Sequence, residues 1–180
     1  MLDLEKNRVF LNHWHVVGHV NDLQEPGDWL SFDLLGERAM VIRGKDGVIR
    51  AFHNTCRHRG SRLVEGEQGH CRGAVMCPFH AWVYTLEGEL KTPSQPDKFP
   101  ILDTTEYGLL ALELETWRGF LFLRFESGPQ PSIATMMKRH EQELSAYPLE
   151  DLQPTDGLYS SPVVPVNWKA MVDVDNECYH

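Results

Sequence analysis

Two short motifs, Cys56-Arg57-His58 and Cys77-Pro78-Phe79-His80, constrain this chain more than any other feature. Each supplies one sulfur and one imidazole, and eighteen residues separate them. Two loops of such matched composition imply one shared site, which a fold has to assemble from distant parts of the chain. Cysteine is otherwise scarce. Only Cys71 and Cys178 complete the set of four in 180 residues, too few for a disulfide-built scaffold. The candidates are therefore buried fillers, metal ligands or reactive thiols, and nine histidines offer the neutral nitrogen that thiolate sites often add to sulfur. Cys71 lies on the connection between the motifs without a paired histidine and reads as a filler or mildly exposed thiol rather than a ligand. Zinc fingers and ribbons place two cysteines within a few residues of each other, which this chain does not do. A structural zinc module stays open as an alternative at this point.

From His13 to Phe125 the pattern is short apolar or alternating runs broken by turn residues, which predicts strands. Trp29–Leu35, Arg38–Arg43 and Val48–His53 come first, with Gly44-Lys-Asp-Gly47 as a hairpin between the last two. Val75–Cys77 and Trp82–Thr85 follow, and Tyr107–Glu115 and Phe120–Phe125 flank a turn at Thr116-Trp-Arg-Gly119. The fold class is mainly β, with an antiparallel domain over residues 1–125. Residues 126–131, Glu-Ser-Gly-Pro-Gln-Pro, have the composition of a linker, and 132–180 begin a second unit. There Ser132 caps a helix whose Ile133, Met136, Met137, His140 and Leu144 share a core-facing side, and Pro148 stops it. Asn167 caps a last helical segment starting at Trp168.

Lys and Arg total 17 against 26 Asp and Glu, a formal charge of -9 that repels phosphate backbones and anionic membrane surfaces. Nucleic acid is excluded as a partner on that ground. The start, Met1-Leu-Asp-Leu-Glu-Lys-Asn-Arg, mixes charge signs where a leader needs a basic stretch and then an apolar one. No apolar run approaches the roughly 18 residues of a membrane span. A cytoplasmic protein without a membrane partner is expected.

Through C-x-H and C-x-x-H the sequence resembles the Rieske domain family, in which two cysteines hold one iron of a 2Fe-2S cluster and two histidines hold the other. Cys56-Arg-His-Arg-Gly60 and Cys77-Pro-Phe-His-Ala-Trp82, then Tyr84 and Glu87-Gly88, look like the cluster loops of Rieske ring-hydroxylating oxygenases. The resemblance runs from about Phe10 to Phe125 and implies that Cys56 and Cys77 hold one iron and His58 and His80 the other. Ala81 stands where that family usually carries glycine, so the second loop is expected to pack slightly differently. High-potential Rieske proteins brace their loops with a disulfide. Ser61 and Phe79 occupy the corresponding positions here, which implies the low-potential branch.

The end of the chain, Asn167-Trp-Lys-Ala-Met-Val-Asp-Val-Asp-Asn-Glu-Cys-Tyr-His180, resembles the start of the α+β, helix-grip catalytic domain of oxygenase α subunits. Glu177 and His180 share one face if that segment is helical. The resemblance implies that His180 is a ligand of a mononuclear Fe(II), and that Glu177 links it to a cluster histidine, His80 of a neighbouring subunit in a trimer. Val174 departs from the family, which commonly has asparagine after the acidic residue, here Asp173. The implied protein is the N-terminal portion of an oxygenase. An NAD(P)H-dependent reductase or a ferredoxin supplies its electrons, and with O2 it hydroxylates, dihydroxylates or demethylates a small organic substrate. The competing reading is a stand-alone Rieske ferredoxin-like electron carrier that catalyses nothing.

Overall fold

In the computed structural model, which describes residues 2–95, 97, 102–155 and 165–176, the fold is organised about one strand buried on both faces. The strands are β1 (His15–His19), β2 (Asp28–Leu34), β3 (Glu37–Arg43), β4 (Ile49–His53), β5 (Gln68–His70), β6 (Val75–Met76), β7 (Val83–Tyr84), β8 (Leu90–Thr92), β9 (Ala111–Trp117) and β10 (Phe120–Arg124). Seven of them form an antiparallel sheet in the order β1-β10-β9-β4-β3-β2-β5, and β6-β7-β8 form a small second sheet. On β3, Ala39, Met40, Val41 and Ile42 are all fully buried. Successive side chains of a strand point to opposite faces, so this unbroken apolar run serves two cores. Met40 and Ile42 join Trp29, Phe52, Val75, Trp82 and Tyr84 where the small sheet packs. Ala39 and Val41 join Leu23, Leu30, Ala51, Leu121 and Leu123 on the other side. The mainly β, antiparallel expectation holds.

Several boundaries differ from the sequence expectation. The strand expected from Tyr107 begins at Ala111, because Thr104–Tyr107 forms a 3-10 turn capped by Asp103, whose carboxylate accepts the Thr105 N–H at 3.0 Å. Strands β1, β5 and β8 were not expected. Gln-Gly-His of β5 has no apolar side chain to mark it, and backbone pairing to the β2 edge makes it a strand. The β9–β10 hairpin turns on Arg118 and Gly119, whose φ values of 46° and 87° are the left-handed pair a tight hairpin needs. At the N-terminus, α1 (Leu2–Glu5) continues into a wider helical turn over Lys6–Phe10.

Beyond Phe125 the chain stays fastened to the sheet. The Glu126 N–H donates to Leu11 O at 2.9 Å, and the Trp14 indole N–H donates to Pro131 O at 3.0 Å. Arg124 lies over the Trp14 ring at 4.3 Å and donates to Gln130 O at 3.2 Å. Ser132 caps the next helix as expected, accepting the Thr135 N–H, but that helix is broken into α2 (Ile133–Met137), a 3-10 turn (Lys138–His140) and α3 (Glu141–Leu144). Ile133 is buried, whereas Met136 points outward, so the inward stripe is Ile133, Met137, His140 and Leu144. Arg118 clamps this segment by donating to Leu144 O at 2.6 Å, to Tyr147 O at 2.8 Å and to the Glu150 carboxylate at 2.7 Å. His19 Nε2 meets Leu149 O at 3.0 Å from the same hairpin region. Asn167 caps α4 (Trp168–Asp175) through the Lys169 N–H, as the sequence indicates. No helix among the described residues is long and apolar enough to cross a membrane.

Candidate metal centre

Cys56 opens the connection that leaves β4, and Cys77 follows β6 on the small sheet, so the two motifs approach from opposite sheets. Their backbones fold alike. The Cys56 N–H donates to Ser61 O at 2.8 Å and the Gly60 N–H to Cys56 O at 2.9 Å. In the second loop the Cys77 N–H donates to Trp82 O at 2.8 Å and the Ala81 N–H to Cys77 O at 2.9 Å. Each loop is therefore closed by bonds from its cysteine to the fourth and fifth residues beyond it. The fourth residue is left-handed in both, with φ of 71° at Gly60 and 53° at Ala81. Glycine adopts that region freely, whereas an L side chain loses about 1 kcal/mol or more there. The second loop keeps the hydrogen bonds of the first, with Ala81 in the left-handed conformation that Gly60 adopts there.

The structure brings all four expected donors of these loops together, like beside like. Cys56 and Cys77 are each 2% exposed within the core under the small sheet, and each is a free thiol. The His58 and His80 rings lie edge to face with centroids 4.7 Å apart, and both are partly exposed. Burial pushes the Cys56 thiol up, with the neighbouring Cys77 adding to the effect. A metal's positive charge is what removes such protons. Burial, then His80 and Arg59, lowers His58, which favours the neutral imidazole that binds metal.

Three further residues shape the site, and sequence reasoning gave none of them a role. The Tyr84 hydroxyl, on β7, accepts the Arg57 N–H at 3.0 Å and sits 3.3 Å from Cys56 Sγ. Burial first, and Cys56 next, push its pKa up, so it keeps its proton and can donate to a thiolate. Asn54, fully buried, accepts the Leu63 and Val64 N–H groups at 3.0 Å each and donates to Val64 O at 2.9 Å, holding the return of the first loop. Trp82 stacks on His58 at 4.9 Å with 6° between the planes, walling that imidazole from the core side. Trp82 and Tyr84 stood in the sequence as part of the loop resemblance without a stated task, and Asn54 was marked only by its place two residues before a candidate ligand.

Among the described residues, no group of three or more Cys, His, Asp or Glu side chains surrounds a single metal position. A lone tetrahedral zinc needs its four ligands around one point, an arrangement not formed among the described residues. Two sulfurs paired and two imidazoles paired do suit a two-iron cluster with two protein donors on each iron. Residues 13–109 match the family described as "Rieske [2Fe-2S] domain".

This chain belongs to the Rieske family.

The Rieske chain is 32% identical over 179 residues to the carnitine monooxygenase oxygenase subunit of Acinetobacter baumannii, covering 98% of this chain and 47% of that protein. It is 29% identical over 180 residues to the glycine betaine monooxygenase oxygenase subunit of Pseudomonas aeruginosa, covering 100% and 41%. The crystal structure of the quaternary ammonium Rieske monooxygenase CntA in complex with L-carnitine superposes with a TM-score of 0.83 at 31% identity, over 99% of this chain and 50% of that one. The Rieske chain thus spans about half the length of the curated relatives it matches. Glu177 and His180 lie outside the described residues.

Proposed function

We propose that this chain is the N-terminal portion of a Rieske non-heme iron oxygenase α subunit. In this reading residues 1–125 form the cluster domain, 126–131 the connection and 132–180 the start of the mononuclear-iron catalytic domain. The observation that carries it is the pairing of Cys56 with Cys77 and of His58 with His80 by two loops of the same backbone form. Cys56 and Cys77 hold one iron and His58 and His80 the other. When bound, the cluster supplies one-electron storage and transfer, and a mononuclear Fe(II) supplies O2 activation for hydroxylation, dihydroxylation or demethylation.

The chain's own residues set the conditions for that chemistry. The core around Cys56 and Cys77 keeps water from the sulfurs, and the Tyr84 O–H donates to Cys56 once it is a thiolate. His58 and His80, partly exposed at the loop tips, form the side through which electrons pass on. By resemblance, His180 is a ligand of the catalytic iron, and Glu177 connects it to His80 of a neighbouring subunit in a trimer. An NAD(P)H-dependent reductase or a ferredoxin is the electron source, in the cytoplasm. The electron-carrier alternative has less support, because the match to oxygenase subunits extends over 98% of the chain.

The names of the relatives favour a small quaternary ammonium compound as the substrate class over an aromatic acid. The test has two arms. The 180-residue chain should purify brown, with iron and acid-labile sulfide in equal amounts. A longer gene product carrying the catalytic domain, given reductase, NADH and O2, should oxidise carnitine or glycine betaine and leave benzoate untouched. A colourless zinc protein refutes the cluster, and turnover of benzoate alone refutes the substrate class.

A further inference from the structure

Helix α4 precedes the Glu177 and His180 stretch, and among the described residues its side chains reach Glu5 and Phe10, near the N-terminus. Both carboxylate oxygens of Glu5 are engaged. Lys169 Nζ donates to Oε1 at 2.7 Å, and the Trp168 indole N–H donates to Oε2 at 3.1 Å. Those two donors are the second and third residues of the Asn167-Trp168-Lys169 run. The indole also meets Phe10 edge to face at 5.2 Å. Lys169 Nζ lies 5.1 Å from the centre of the same indole, so the three groups form one cluster.

The other end of this attachment is firm. Lys6 Nζ donates to Glu37 Oε1 at 2.8 Å, which ties the N-terminal helix to β3. Leu11, 4% exposed, is embedded in the core, and its carbonyl accepts the Phe125 and Glu126 N–H groups at 3.0 and 2.9 Å. By contrast, α4 has no buried side chain, and Trp168, Met171 and Val172 are 38%, 51% and 46% exposed. Among the described residues, the side-chain hydrogen bonds that leave α4 for another element are the two to Glu5. The donors on Lys169 and Trp168 hold the Glu5 carboxyl below its ordinary value, so it is charged throughout the neutral range.

We infer that Glu5 is a positioning residue: by gripping Trp168 and Lys169 it fixes the pose of the helix that carries the chain into its proposed iron motif. This rests on the oxygenase reading for its functional consequence but not for the clasp itself. A hydrogen-bonding carboxylate is required rather than a merely polar side chain, because only a carboxylate accepts both donors while balancing the lysine charge. Trp168 is the first residue of α4, next to the Asn167 cap, so the contact holds the helix at its start.

The test uses the 180-residue chain with its cluster, then the longer protein. Hydrogen exchange should show the amides of residues 170–176 exchanging about fivefold faster in Glu5→Ala, with β2–β4 amides and the visible spectrum unchanged. The charge swap of Glu5→Lys with Lys169→Glu should recover part of the lost protection, which a general loosening of the N-terminus would not. In the longer protein, Glu5→Ala should lower kcat while leaving substrate KM and the rate of cluster reduction within about twofold. Unchanged exchange in a coloured Glu5→Ala protein overturns the clasp, and loosened α4 with an undiminished kcat overturns the positioning role. A colourless wild-type chain instead overturns the cluster reading, so the two failures are distinguishable.

Discussion

Replacing Tyr84 by Phe removes a single oxygen from a side chain that is fully buried, and the consequence can be worked out. The hydroxyl stands 3.3 Å from Cys56 Sγ and accepts the Arg57 N–H at 3.0 Å. Reduction makes the cluster as a whole more negative, so a donor to one of its sulfurs stabilises the reduced form more than the oxidised one. A hydrogen bond to a charged group contributes about 1.5–3 kcal/mol, of which only the difference between the two redox states moves the potential. Taking that difference as about 1 kcal/mol, and 59 mV per tenfold for one electron, Tyr84→Phe should lower the midpoint potential by about 40 mV. The lost acceptor for Arg57 N–H should also cost about 1 kcal/mol of stability. Redox titration followed by visible circular dichroism measures the first, and urea unfolding the second. A potential that stays level or rises, in a variant that retains its cluster, refutes the electrostatic reasoning.

The remaining predictions concern the loops and the clamp. Ala81→Gly should raise stability by about 0.5 kcal/mol, because the roughly 1–2 kcal/mol strain of alanine at φ of 53° is relieved while the freer unfolded chain takes back about 0.4–1 kcal/mol; a lower melting temperature would contradict this. Cys56→Ser and Cys77→Ser should each abolish the visible bands, while Cys71→Ser, outside the paired donors, should retain iron and sulfide at the wild-type ratio. With Ser61 and Phe79 at the positions of a bracing disulfide, the wild-type potential should lie near the lower end of the Rieske range, on the order of -150 mV, and a value well above zero refutes the low-potential assignment. Arg118 holds the Glu150 carboxyl down to about 2 from an ordinary 4.5. The Glu150 arm of the clamp contributes fully above about pH 4.5 and is lost as pH falls toward 2, while the bonds to Leu144 O and Tyr147 O remain. Amides of residues 144–152 should therefore gain exchange relative to the core across that window, and Glu150→Gln should remove the pH dependence.

The parts of the fold legible in the sequence were those marked by short apolar or alternating runs between turn residues. β2, β3, β4, β9 and β10 carry such runs, unbroken in β3 and alternating in β10, and each lies within a few residues of its expected position. β5 and β8 are short and mostly polar, and their pairing is made by backbone groups that every sequence has. The clamp on residues 138–152 was illegible for the same reason, since Arg118, His19 and Asn21 bind main-chain carbonyls. Residues 126–131 have the composition of a tether, yet Trp14 and Arg124 fasten them. At the site, the four paired donors were readable because thiolate and imidazole are rare and their spacing is constrained. Ala81 was noticed only as a departure from glycine, and its backbone angle supplies the reason glycine is usual there. Tyr84 and Asn54 act through buried side-chain hydrogen bonds, where a sequence shows an aromatic and a small polar residue but not what each one faces.

The central claim is the two-and-two division of ligands, and pulsed electron paramagnetic resonance on the reduced 180-residue chain tests it most directly. Coupling of the electron spin to two directly bound nitrogens, with loss of the signal's Rieske character in both His58→Ala and His80→Ala, is what this assignment predicts. A reduced cluster with no nitrogen coupling, or one whose couplings survive either histidine substitution, contradicts it.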